Sequence, residues 1–167
     1  MFSRTLRIGA IFGCALAATV SFSHAASSKP AFMTALVGTW NCTYDGPKGH
    51  QSSTLTFSAM NDTWLKETEK DGAYGKDPAH EGFGYITYDT KKHQYIDMGG
   101  TTLANDYGVS SADASPSATS ITFVGAFPAD PSHGRNLITL NGNTVTTHSS
   151  WTQKGKQLSG HGSCTKQ

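Results

Sequence analysis

Cys42 and Cys164 lie near the two ends of the folding part of this 167-residue chain, and together they constrain its fold more than any other feature. In an oxidising compartment such a pair is most simply a disulfide. Cys42 falls in the first segment of strand-like composition and Cys164 in the last. A bond between first and last strands makes those strands neighbours. A sheet whose first and last strands are neighbours is a closed barrel with no free edge.

The argument requires export, and the N-terminus points to it. Met1-Phe2-Ser3-Arg4-Thr5-Leu6-Arg7 is basic and free of acids, Ile8 to Val20 is apolar, and Ser23-His24-Ala25-Ala26 offers small residues for cleavage. This is the three-part pattern of a bacterial secretory signal peptide, read here as residues 1–25, with 26–167 as a single domain. Cys14 lies inside the apolar run and leaves with it. The run is shorter than the about 20 residues of a membrane span, and no later segment is apolar enough to be one. The protein is expected in the periplasm or outside the cell. Losing Arg4 and Arg7 leaves 11 basic residues against 12 acidic ones, with no basic patch, which argues against a nucleic-acid partner.

Pro30 to Val37 reads as a short helix, with Pro30 in its first turn and Gly38 as its stop. It is too short to stand alone, and covering one end of a barrel is its natural role. Beyond it, segments rich in Thr, Tyr, Phe, Val and Ile recur between Gly, Asn, Asp and Pro. Strands are expected near 39–45, 51–59, 62–70, 82–89, 93–98, 101–108, 119–126, 136–141, 144–151 and 156–164. Asn141-Gly142-Asn143 is the clearest hairpin signal. Two polar stretches, 71–81 and 110–118, read as loops near the barrel mouth, and 125–134, with two prolines, as a longer connection. Neither parity of 82–89 or 144–151 is strongly aliphatic. That disfavours a sandwich core and suits a barrel lined by aromatics and hydroxyls. The fold expected is all-β, an antiparallel up-and-down barrel of about ten strands with a short N-terminal helix.

Leu36-Val37-Gly38-Thr39-Trp40 opens the first strand, and Gly84-Tyr85-Ile86-Thr87-Tyr88-Asp89 leads on to Tyr95. With these motifs the chain resembles the short secreted lipocalin-like (calycin-type) barrel families. The resemblance implies that Trp40 closes the barrel bottom and that the lumen holds a small apolar or amphipathic molecule. Trp64, Tyr85, Tyr95, Phe123 and Trp151, spread over different strands, are the candidate lumen-lining ligand contacts. A more distant resemblance to nitrobindins, barrels that hold haem through one histidine near the C-terminus, makes His161, and second His148, the candidate haem ligands.

The other chemistry is sparse. No H-x-H pair, H-E-x-x-H motif or Cys/His cluster suggests a metal. Catalysis finds no Gly-x-Ser-x-Gly elbow and no free cysteine nucleophile, and no site for it is assigned. Asp71, Asp77, His80 and Glu81 share one polar loop and read as solvated. A third reading is a structural or partner-binding envelope protein, which predicts a filled lumen and an exposed apolar patch. The sequence leaves the oligomeric state and the ligand open.

Overall fold

The computed structural model describes residues 29–103, 106–128 and 132–167. The expected signal peptide lies outside the described residues, as does part of the connection expected over 125–134. One helix, α1 (Ala31–Leu36), is followed by ten strands: β1 (Gly38–Gly46), β2 (Gly49–Ala59), β3 (Trp64–Asp71), β4 (His80–Asp89), β5 (Gln94–Thr101), β6 (Asp106–Asp113), β7 (Ser120–Phe127), β8 (Arg135–Asn141), β9 (Thr144–Gln153) and β10 (Lys156–Lys166). Each pairs antiparallel with the next, and β1 pairs with β10, so the sheet closes into a barrel. Cys42 stands directly opposite Cys164 across the closing seam. The two form a disulfide with their Cα atoms 4.0 Å apart.

Tight hairpins keep the strand order simple. Gly142 takes φ +58 in the β8–β9 turn, and Lys154 and Gly155 take +50 and +74 in the β9–β10 turn. In the β9–β10 turn, positive φ at both central residues suits the right-handed twist of the flanking strands.

One end is plugged. Phe32, Met33 and Leu36 of α1 are buried together with Trp40. The Trp40 indole Nε1 donates to the Leu36 carbonyl at 2.7 Å. The Lys166 ammonium donates to the Ala35 carbonyl at 2.9 Å and lies 5.2 Å from the centre of the Trp40 ring. Gly38 turns the chain from helix to strand at φ +131, a conformation that a side chain would strain. Phe32 meets Tyr95 edge-on at 5.7 Å, and Tyr95 packs on Tyr88 at 4.7 Å. The Ala31 amide donates to the Pro116 carbonyl at 3.2 Å, tying α1 to the β6–β7 connection.

The strand expected near 101–108 instead runs Asp106–Asp113, so the start of the stretch expected as a loop over 110–118 is strand, while β5 extends to Thr101. Gly99-Gly100 look like punctuation but lie within β5. A Cβ on Gly99 would sit 2.5 Å from the Phe83 carbonyl oxygen, so only glycine lets the strands approach there. The two polar stretches also do not share an end. Residues 72–79 lie at the mouth, whereas the β6–β7 connection lies beside α1 at the plugged end.

Candidate functional site

Side chains alternate between wall exterior and lumen along each strand. Leu65, Glu67, Glu69 and Asp71 of β3 therefore share one face, and Leu65 is fully buried, so that face is the lumen. The same parity turns Tyr95 and Asp97 of β5 inward, since Tyr95 is also fully buried. The lumen encloses a cavity of about 390 Å³. Its floor is apolar, built from Phe32, Leu36, Trp40, Phe57, Ile86 and Phe123; its upper wall carries Glu67, Glu69, Asp71 and Asp97 among Gln51, Ser53, Asn136 and Ser149. Among the described residues no lysine or arginine lines it.

The carboxylates have been given room. Glu67 stands across from Gly84 and Glu69 across from Gly82. A Cβ at Gly84 would come within 3.3 Å of the Glu67 Oε2, and one at Gly82 within 3.1 Å of the Glu69 Oε2. Gly84 is followed round the barrel by Gly99 and Gly108 at the same level. These glycines leave a recess of about 340 Å³ beside Glu67, Glu69 and Asp97.

Burial dominates the electrostatics, because an enclosed carboxylate loses hydration that a neutral carboxyl does not need. Burial first, and then the neighbouring acids Asp97, Glu69 and Asp71, push Glu67 up to about 8. Burial and Asp71 raise Glu69 to about 7. Burial lifts Asp97 to about 6, against a hydrogen bond from Ser110. That Ser110 Oγ lies 3.4 Å from the Asp97 Oδ2. Asp71 is raised by burial and held back by His80, whose Nε2 lies 3.2 Å from the Asp71 Oδ2 at the rim.

The aromatic and histidine candidates are not brought together. Phe123 lines the cavity. Tyr95 faces inward but is consumed by the plug, its hydroxyl 3.4 Å from the Pro116 carbonyl. Trp151 borders a recess of about 290 Å³ with Asp97, Phe123, Arg135 and Asn136. Trp64 and Tyr85 neighbour the lumen-facing Leu65 and Ile86, and alternation places both on the outer wall. His148 and His161 also face outward, directly opposite each other on β9 and β10. The His161 side chain is 73% exposed, and its Nε2 lies 4.0 Å from Asp45. Neither imidazole reaches the lumen. Among the described residues, no three metal-ligating side chains converge on one point.

The polar loop splits in the same way. Asp71 and His80 pair at the rim, Asp77 pairs with Lys48, and Glu81 is exposed. Sequence reasoning misses Glu67, Glu69 and Asp97 as inward acids and reads Asp71 as solvated. The signal for the three on β3 is its parity, where Leu65, Glu67, Glu69 and Asp71 alternate with Lys66 and Lys70. It becomes readable only once Leu65 is known to face inward.

No family model and no curated protein matches the chain. Solved structures do. Rv2717c from M. tuberculosis is similar at a TM-score of 0.62 and 12% identity, covering 81% of this chain and 94% of that one. EF1p2_mFAP2b, solved bound to DFHBI, is similar at a TM-score of 0.51 and 12% identity, covering 84% of this chain and 100% of that one. At these identities the likeness is one of fold. The chain is a ten-stranded antiparallel β-barrel with barrel-fold neighbours.

Proposed function

We propose that this is an exported binding protein of the lipocalin-like kind, which holds a small amphipathic molecule in its barrel. The single observation carrying the reading is the cavity of about 390 Å³, apolar at its floor and polar at its upper wall. Small-ligand sites are concave, mostly apolar, and carry a few placed polar groups. A barrel whose only role was structural would fill that space with side chains. A barrel of similar fold solved with DFHBI bound lends support by analogy. Export is supported by the N-terminal pattern and by the disulfide, a bond that persists in oxidising compartments. Among the described residues no helix is long and apolar enough to cross a membrane.

The test is a neutral fluorescent probe, N-phenyl-1-naphthylamine, titrated against protein recovered from an oxidising compartment. Probe fluorescence should rise on binding. Filling the lumen with Ile138→Trp or Ser149→Phe should abolish the rise while the far-UV spectrum stays unchanged. No rise in the parent protein, or the same rise in both filled variants, would overturn lumen binding.

A further inference from the structure

Among the described residues no lysine or arginine lines the cavity that holds these acids. Arg135 borders the recess beside Asp97, and the barrel is shaped around the acids. Glu67 makes no hydrogen bond among the described residues, whereas Asp97 takes one from Ser110 and Asp71 meets His80. No fully enclosed polar side-chain atom among the described residues lacks a partner. The unpaired oxygens of Glu67 must therefore open onto space, and the space that Glu67 lines is the cavity and its adjoining recess. Gly84, Gly99 and Gly108 keep that level of the wall bare beside the carboxylate. About two residues further down the strands, or roughly 7 Å, the lining turns apolar at Leu65 and Ile86.

We propose that the lumen selects an organic cation: an amine carrying a hydrocarbon body, with its ammonium between Glu67 and Asp97 and its apolar part on the floor of Phe57, Ile86 and Phe123. The inference rests on the lumen-binding reading above and names the ligand class for that same cavity. An ammonium has three donors and no acceptor, which complements an acceptor-only pair of carboxylates. Charge-assisted hydrogen bonds formed away from water are among the stronger polar contacts. An anionic ligand would meet four acids, and a neutral one would offer nothing that favours the ionised form of Glu67.

The arrangement also couples binding to protons. The groups facing the ammonium position are Glu67, Glu69 and Asp71 from β3 and Asp97 from β5, with His80 of β4 and Tyr44 of β1 nearer the rim. α1, β2, β7, β8, β9 and β10 line the cavity with apolar, amide, hydroxyl, disulfide or glycine positions, β6 brings Ser110 to Asp97, and Arg135 of β8 borders the recess on the other side of Asp97. Burial holds Glu67 near 8 and Asp97 near 6, so Glu67 keeps its proton through neutral pH and Asp97 keeps part of its own at the acidic end of that range. An entering cation favours their ionised forms and releases those protons. Affinity should therefore rise as pH rises from about 5.5 to about 8.5, while an alkylamine, ionising near 10.4 like lysine, stays charged throughout.

The experiment compares decylamine, decanol and decanoate by calorimetry on the full chain recovered from an oxidising compartment. Measurements at both pH values are repeated with Glu67→Gln, Asp97→Asn and the lumen-filled Ile138→Trp. Decylamine should bind on the order of tenfold more tightly than decanol at the higher pH, with proton release, and Glu67→Gln should erase most of that preference. Equal binding of all three probes, or a preference for decanol or decanoate, overturns the amine assignment while leaving lumen binding intact. A decylamine preference that survives both carboxylate variants overturns it too. If no probe binds, or if Ile138→Trp binds all three as the parent does, the lumen reading fails together with it.

Discussion

Single residues in this barrel are decided by what stands across the sheet from them. Gly99 looks expendable until the Phe83 carbonyl is placed 2.5 Å from its missing Cβ. Gly99→Ala forces one strand away from another, and we expect a loss of about 1–3 kcal/mol in urea unfolding. Gly84→Ala meets the Glu67 carboxylate at 3.3 Å and that side chain's own Cβ at 3.4 Å, with the Met98 carbonyl oxygen at an ordinary 3.5 Å. It should cost less and act mainly by displacing the acid, so equal losses for the two variants would contradict this account of the wall. Gly38 was legible from sequence as part of a Gly-x-Trp opening, because its φ of +131 is a local demand of the helix-to-strand turn. Gly99 and Gly84 were not, because their reason is a neighbour many residues away.

At the scale of elements, closure depends on the seam between β1 and β10. The disulfide joins residues 122 apart in sequence and therefore restricts the unfolded chain strongly. On the chain-entropy view it contributes about 4–5 kcal/mol. Replacing both cysteines by serine should lower the melting temperature markedly while leaving the far-UV spectrum unchanged; an unchanged melting temperature would mean that the bridge carries no stability. Helix α1 is the other element on which the site depends. It is only six residues long, so its order comes from packing rather than propensity. Phe32 is 1% exposed and reaches Tyr95, so Phe32→Ala should cost about 3–5 kcal/mol and open the cavity floor, measured by denaturation and by loss of probe binding. Both elements were visible in the sequence through the cysteine pair and the Pro-to-Gly bracket around a short apolar run. The boundary between β5 and β6 was not, because glycine is both a turn former and the residue that lets strands come close.

The whole molecule carries a titration signature. Aspartate and glutamate ionise near pH 4 in an unfolded chain. In the barrel Glu67 is held near 8, Glu69 near 7 and Asp97 near 6, chiefly by burial. Above about pH 4 the folded state therefore keeps protons that the unfolded chain has lost, and stability falls as pH rises. The fall continues until Glu67 has ionised. Asp89, lowered by the backbone amides of Lys92 and Lys91, acts only below that window. The melting temperature should be higher near pH 5 than near pH 8.5, and Glu67→Gln should flatten the profile; a profile that rises over this range would refute the enclosed acids. By itself the sequence determined the strand count, the terminal disulfide, the short helix and hence the closed barrel. Those follow from local composition and from one covalent pairing that admits few topologies. Only the tertiary structure decided which face of each strand looks inward. A one-residue change of parity exchanges lumen for solvent, and a wall with weak aliphatic alternation does not declare its parity. That ambiguity hid Glu67, Glu69 and Asp97 and put Trp64, Tyr85, His148 and His161 among the candidates, although the folded barrel turns these last four outward.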